Sequence, residues 1–405
     1  MEHKTHANKL KNIFIAVGMF FAIVIWMRRH ILAYLLRLTP VQNRVLVTYG
    51  VKIPAKDGIL LAADHYSPYK PGDHPTILIR SPYGRNADAG IFGRMLAFFA
   101  QRFAERGYHV IVQDVRGRFD SQGEFDPYFS EHDDGLATLK WIDLQPWSNG
   151  SVAMWGSSYL GIVQWAVAAH APNLKAIMPS ITSSELQTVL YPDDAFDLGL
   201  AMRWMSILSH LADNHHRSMF ASLNMMNMVE RDIKPVFSHL PLREADKIVT
   251  GQTQAYYQTW LDHARADSPI WQEEREAIDI QSVDIPVHLI GGWYDFFLRG
   301  LLTDYENLRQ SGKTPYLTIG PWHHFNAMTS LGDLREGIHW FDAHLKGHKH
   351  NLRQHPVRLF VMGANEWREF DTWPPPSQSL RYYLQPDHGL STVTPDIESA
   401  STQYT

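Results

Sequence analysis

MWGSSYLG, Met154 to Gly161, is the stretch on which the fold turns. A short apolar segment, Val152 to Trp155, leads into it, and an apolar helical pattern, Ile162 to Ala169, follows. A strand, a sharp turn with a central serine and then a helix form the layout of a nucleophile elbow. Such a turn lifts one serine hydroxyl clear of the backbone, where a base and a substrate carbonyl can both reach it. The backbone crowds there, so the residue two positions before the nucleophile must lack a Cβ. Gly156 meets that need for Ser158, whereas the matching position for Ser157 is Trp155, which would clash. Ser158 is therefore the candidate nucleophile. The second glycine of the usual G-x-S-x-G comes one residue late, at Gly161, and Leu160 stands where a small residue is usual.

Two further segments add to this reading. IGGWYDFFLRG, Ile290 to Gly300, follows a short apolar strand pattern that starts at Ile285. Asp295 is thereby expected in a loop at the carboxyl end of a strand, where open α/β sheets place their working residues. LTIGPWHHFN, Leu317 to Asn326, is again a strand running into a loop, here with the pair His323–His324. A serine hydroxyl is a poor nucleophile at neutral pH. It needs a neutral imidazole to take its proton and a buried carboxylate to fix the tautomer. Serine, then aspartate, then histidine is the chain order of the triad in α/β-hydrolases. Spacing alone does not choose between His323 and His324.

With these residues the chain resembles the cocaine-esterase/NonD hydrolases, relatives of the X-Pro dipeptidyl-peptidases and α-amino-acid ester hydrolases. The matching stretches are RSPYGR (Arg80 to Arg85), QDVRGRFDSQGEFDPY (Gln113 to Tyr128), WGSSYLG, GGWYDFF and GPWHH, within a resemblance running from about Val45 to Pro386. The late second glycine is normal for that family. The resemblance implies Ser158 as nucleophile, Asp295 as orienting acid and His324 as base, because the family's Gly-Pro-Trp-x-His ends on the base. It also implies an oxyanion hole built from the backbone N–H of Tyr159 and the hydroxyl of Tyr83. A phenol can donate one short hydrogen bond to a developing alkoxide.

The segment Gln113 to Tyr128 is dense in charge, with Asp114, Arg116, Arg118, Asp120 and Glu124 set among Gly117 and Gly123. It lacks the G-K-[ST] of a P-loop and the spacing of an EF-hand. A charged, hydrogen-bonded loop that shapes the floor of the site is the expected role. Composition excludes other classes. The 405 residues are 45% apolar and 20% charged, with a formal net charge of −5, which is ordinary globular composition. No basic run with interleaved aromatics points to nucleic acid. The chain has no cysteine, so disulfide and thiol chemistry are out. The 22 histidines include adjacent pairs, His215–His216 and His323–His324, whose rings cannot easily face one ion, and no H-E-x-x-H occurs. No metal and no cofactor is expected; the expected partner is a small ester, amide or short peptide substrate.

The N-terminus stands apart. Lys4, Lys9 and Lys11 precede an uncharged run, Ile13 to Met27, and Arg28-Arg29 follows. No small-x-small cleavage site follows the run, and it is shorter than the ~20 residues that span a bilayer straight through. With the further apolar stretch Ile31 to Leu36, residues 1–40 are expected to form an uncleaved membrane anchor.

Alternating strand and helix patterns from Val45 to Met178, resuming at Ile285, argue for a mainly parallel sheet covered on both faces. The fold class is α/β: an α/β-hydrolase catalytic domain over 41–182 and 281–350. Residues 183–280, rich in Met, Leu, Trp and His, read as helices without strands and are expected to form a cap. Its Trp204, Met205, Tyr257 and Trp260 are candidates for an acyl pocket or for core. From Pro356, VRLFVMG, EWREF and LRYYLQP read as strands. The family carries a C-terminal β-jelly-roll here. Eight strands in two sheets do not fit in the roughly 50 residues after Pro356, so 351–405 is expected to open an incomplete one.

The leading expectation is a serine hydrolase that cleaves an ester or amide acyl bond. A second is an X-Pro dipeptidyl-peptidase or acyltransferase, in which Asp193, Asp194 or Asp197 could hold a substrate ammonium. A third is a truncated, membrane-anchored binding protein without full activity.

Overall fold

The computed structural model describes Met19 and residues 27–212, 219–385 and 389–395. Residues 27–35 belong to a helix, α1. Ten strands then build one sheet: β1 (Val45–Pro54), β2 (Leu60–Pro68), β3 (Thr76–Ser81), β4 (His109–Asp114), β5 (Val152–Ser157), β6 (Leu174–Ser180), β7 (His288–Gly292), β8 (Tyr316–Gly320), β9 (Val357–Val361) and β10 (Glu366–Phe370). Their spatial order is β1-β2-β4-β3-β5-β6-β7-β8-β9-β10. The strands from β4 to β9 run parallel, with β1, β2 and β10 antiparallel at the two ends.

The central strands are buried end to end. β3 and β4 have no exposed residue, and they pair in register from Thr76↔His109 to Ser81↔Asp114. Parallel strands covered on both faces are buried in this way, and the runs Ile77 to Ile79 and Val110 to Val112 supply their apolar centres. The cover comes from α2 (Gly90–Ala104), α3 (Glu131–Asp143) and α4 (Tyr159–Ala168). α5 (Leu186–Leu190), α6 (Leu198–Ala212), α7 (Met219–Ile233), α8 (Ala245–Thr250), α9 (Ala255–Asp262) and α10 (Pro269–Ile278) follow between β6 and β7. α11 (Leu298–Gln310) and α12 (Ala327–Leu345) complete the helices. α2 and α12 meet over Trp155 of β5, where Phe99 and Phe103 stand edge-on to the indole and Phe103 also touches Phe341. α3 and α4 pack together on the other face. This is the α/β-hydrolase fold.

α5 to α10 carry their own core, in which Met202, Met205, Tyr257, Trp260 and Trp271 are fully buried. Among the described residues, 183–280 holds helices and no strand.

Two expectations need correction. The segments VRLFVMG and EWREF do not open a jelly-roll. They form β9, which pairs parallel with β8 (Leu317↔Val357 to Ile319↔Leu359), and β10, its antiparallel partner. An alternating pattern identifies a strand but not the sheet it joins. Here α12 carries the chain back beside β8, so the free edge of the parallel sheet takes up the next strand. Of LRYYLQP only Tyr383–Leu384 (β11) pairs, with Leu390–Ser391 (β12).

The membrane anchor is the second correction. Among the described residues no helix is long and apolar enough to cross a membrane. The described part of α1, residues 27–35, carries Arg28 and Arg29 and is tied to the sheet domain by Arg29, which donates to the Asn43 carbonyl at 3.3 Å. The uncharged run that prompted the expectation lies, apart from Met19 and Met27, outside the described residues.

Candidate active site

β5 ends at Ser157, and the chain turns sharply into α4 through Ser158. Ser158 has φ 59° and ψ −126°, a conformation that L-residues rarely hold. Gly156 makes it possible. It sits at φ 145°, and a Cβ there would lie 2.5 Å from the Leu160 Cβ. The turn is pinned from below: the Ser158 N–H donates to the Ser180 carbonyl at 2.9 Å, and the Ser158 carbonyl accepts from Gly161 at 2.7 Å. Gly161 itself abuts β6; a Cβ there would stand 2.4 Å from Thr182 Cγ2. The late glycine therefore serves the approach of α4 to the chain after β6.

Asp295 follows β7. One carboxylate oxygen, Oδ1, accepts the Phe297 N–H at 2.8 Å, and Oδ2 faces His324 Nδ1 at 2.8 Å. Its side chain has no exposed surface. His324 follows β8, and its other ring nitrogen, Nε2, lies 3.0 Å from Ser158 Oγ. With Nδ1–H donating to the carboxylate, Nε2 is left as the acceptor for the serine hydroxyl. The two loops are laced together, since the Trp293 N–H donates to the Gly320 carbonyl and the Tyr294 N–H to that of Trp322. Phe296 stacks on the His324 ring at 4.3 Å, with Phe297 at 5.5 Å and Phe325 edge-on at 5.2 Å. His323, by contrast, is exposed, and its Nδ1 accepts from the Phe325 N–H.

Tyr83 lies in the loop after β3 and borders the same cavity as Ser158. Burial pushes its phenol up from the ordinary value, partly offset by Trp204 and Ser158. The phenol therefore keeps its proton. Tyr159 opens α4, whose first N–H groups have no partner within the helix. Its buried phenol donates to Glu131 Oε1 at 2.6 Å, and Arg80 holds Glu131 from the other side at 2.8 Å. Burial pushes the Glu131 carboxyl up, with Arg80 opposing.

Ser158, Tyr83, Tyr159 and His324 all border one cavity of about 650 Å³. Its walls are mostly apolar and come from α2, the start of α4, the helices between β6 and β7, and the loops after β7 and β8. Of the four pocket-or-core candidates, Trp204 and Trp260 line it, while Met205 and Tyr257 do not and are core. Asp333 of α12 borders it from beneath. Asp333 accepts from Ser180 Oγ at 2.6 Å, and burial pushes its carboxyl up to about 7, the Ser180 bond opposing.

The charged loop after β4 is hydrogen-bonded, but its charged side chains do not line the cavity. Arg85 gathers Asp64, Asp114 and Asp120, and Arg116 bridges Asp57 and Asp134. Arg118 reaches further, donating to the carbonyls of Pro82 and Leu208, both at 3.0 Å. Sequence reasoning missed the bond from Trp204 Nε1 to Tyr83 Oη, at 3.1 Å, and the stacking of Phe296 on His324. The signal for Phe296 was present, because it directly follows Asp295. For Trp204 there was none beyond an aromatic on a helix.

Residues 57–326 match the X-Pro dipeptidyl-peptidase (S15) family. The chain is 30% identical over 379 residues to cocaine esterase from Rhodococcus sp. (strain MB1 Bresler), an alignment that takes in 87% of this chain. The chain spans 65% of the length of that esterase, and the same share of two mycobacterial relatives at 24% identity. Among solved structures, it superposes on an aminopeptidase from a marine sediment archaeon, Thaumarchaeota archaeon, with a TM-score of 0.65 at 21% identity, covering 87% of this chain and 63% of the other. A CocE/NonD family hydrolase from Staphylococcus aureus superposes with a TM-score of 0.64 at 18% identity, covering 86% and 60%. The chain belongs to the X-Pro dipeptidyl-peptidase (S15) family.

Proposed function

We propose that this chain is a serine hydrolase that cleaves an ester or amide acyl bond through an acyl-enzyme on Ser158. The observation that carries the reading is the unbroken hydrogen-bonded line from Asp295 through His324 to Ser158, on the border of a largely apolar cavity. Ser158 Oγ attacks the substrate carbonyl carbon while His324 Nε2 takes its proton. Asp295 holds the imidazole in the tautomer this requires and stabilises the imidazolium that forms. The carbonyl oxygen, now an alkoxide, receives hydrogen bonds from the Tyr159 N–H and the Tyr83 hydroxyl. Collapse of the tetrahedral species expels the alcohol or amine, which takes the proton from His324. Water, deprotonated by the same imidazole, then releases the acid and restores Ser158.

The cavity favours an uncharged acyl or alcohol group over a dipeptide with a free ammonium. Two of the three carboxylates that could have held an ammonium are engaged: Asp193 pairs with Arg299 on an exposed surface, and Asp197 Oδ1 accepts the Leu200 N–H at the start of α6. The relative named cocaine esterase supports an ester in the same direction.

The test is pre-steady-state hydrolysis of p-nitrophenyl esters beside Ala-Pro-p-nitroanilide. A stoichiometric burst of p-nitrophenol is expected, with kcat falling on the order of 10⁶-fold in Ser158→Ala. Ester turnover that survives Ser158→Ala would sink the proposal. Release from Ala-Pro-p-nitroanilide without ester turnover would replace the esterase reading by a dipeptidyl-peptidase.

A further inference from the structure

Trp204 sits on α6, in the helical insertion, far in sequence from every residue assigned to the chemistry. Its indole Nε1–H nevertheless donates to Tyr83 Oη at 3.1 Å. The same tyrosine lines the cavity together with Ser158. An indole N–H can only donate, and a phenol has one proton to give. Trp204 therefore fills an acceptor position of the Tyr83 oxygen and cannot take its proton. The proton is left to point elsewhere, toward Ser158 and the space where a carbonyl oxygen bound to it would sit. A donor feeding a hydroxyl also polarises it, so the outgoing bond strengthens.

The contact is braced on both sides. The Trp204 indole lies nearly parallel to the Tyr159 ring, at 12° and 6.0 Å between centroids, and stacks on Tyr128 at 6.1 Å. Arg118 ties the residue before Tyr83 to Leu208, one turn further along α6. Two independent links, one from each side chain, thus hold the loop of Tyr83 against a single helix of the insertion.

We propose that Trp204 is a positioning residue for the oxyanion hole. Its N–H sets the direction of the Tyr83 hydroxyl, so this hydrogen-bond donor is complete only when α6 is seated on the sheet domain. The inference rests on the reading of Ser158 as nucleophile and Tyr83 as oxyanion donor.

The test is a double-mutant cycle in the full chain, using Trp204→Phe, Tyr83→Phe and the pair, with Ser158→Ala as control and a p-nitrophenyl ester as substrate. Trp204→Phe keeps an aromatic wall but loses the N–H. A fall in kcat of about five- to tenfold is expected, the scale of one hydrogen bond, with KM changed by no more than about twofold. In the Tyr83→Phe background the same substitution is expected to cost almost nothing, because no hydroxyl remains to be oriented. An equal loss in both backgrounds, or a loss confined to KM, would show a wall residue and overturn the proposal. Full activity in Trp204→Phe would overturn it as well. Activity persisting in Ser158→Ala would instead bring down the underlying mechanism, and the role of Trp204 with it. Should Trp204→Phe not fold, Trp204→Met offers comparable bulk without an N–H donor and goes through the same cycle.

Discussion

Ser158 holds a positive φ and an extended-sign ψ because its neighbours leave it no alternative. Gly156 gives up its Cβ, Ser180 accepts the serine N–H, and Gly161 and Ile162 cap its carbonyl. Strain of this kind persists only where the surroundings over-determine it. The need for Gly156 was legible in MWGSSYLG, since it follows from where a Cβ cannot fit. The partnership of Tyr83 with Trp204 was not, since helical periodicity does not tell a core indole from one that aims its N–H at a hydroxyl. At this scale, Tyr83→Phe is expected to lower kcat by about 10²–10³-fold with the fold intact, as loss of one oxyanion donor does elsewhere; steady-state ester kinetics decide it. Asp333 supplies a pH test. Its folded carboxyl is pushed up to about 7 from 3.8, so the folded state keeps a proton that the unfolded chain has lost. Stability from this group is complete below about pH 4, falls as pH rises toward 7, and stays flat above. Asp333→Asn, which still accepts from Ser180, removes that slope. Its melting temperature relative to the parent is expected to rise between pH 5 and pH 8; a difference that does not change with pH would contradict the assignment.

At the scale of elements, the site depends on how closely α4 can approach the chain after β6. Gly161 sets that distance, with Thr182 filling the space a Cβ would need. Gly161→Ala is expected to destabilise the protein by about 1–3 kcal/mol, the usual cost of overpacking. Thr182→Ala, by removing Cγ2 and Oγ1, should restore part of that loss when combined with it. Denaturant midpoints of the two single variants and the pair measure the coupling, and simple additivity would mean that the two residues do not meet. The late glycine is thus explained by packing against Thr182, a contact that spacing within the motif could not reveal. The loops of Asp295 and His324 were each placed by the same sign, a short apolar strand pattern running into a loop. Their lacing through the Gly320 and Trp322 carbonyls depends on β7 and β8 being neighbours, which is a property of the sheet and not of either segment.

Across the whole molecule, the sheet is larger than the sequence pattern implies. β9 and β10 extend it beyond β8, and Trp293, beside Asp295, donates from its indole to the Phe360 carbonyl of β9 at 2.7 Å. The added strand therefore buttresses the loop that carries Asp295. Leu359, 4% exposed in β9, belongs to the main core, whereas Leu384 in β11 is 65% exposed. Leu359→Ala is expected to cost about 2–5 kcal/mol, and Leu384→Ala less than about 0.5 kcal/mol. Equal and small effects in chemical denaturation would show that β9 is not part of the cooperative unit. The α/β alternation was legible because each strand and helix carries its own period. The sheet membership of the last strands was not, because pairing partners are set by where α12 delivers the chain.

The central claim is that Ser158 is activated by His324 and Asp295, and the measurement that tests it most directly is covalent. The protein is exposed to a fluorophosphonate and the adduct is located by peptide mass spectrometry, with His324→Ala and Asp295→Asn alongside. A single adduct on Ser158, lost in His324→Ala and strongly slowed in Asp295→Asn, is the expected result. No adduct on folded protein, an adduct on Ser157, or labelling of Ser158 that is indifferent to His324 would contradict it.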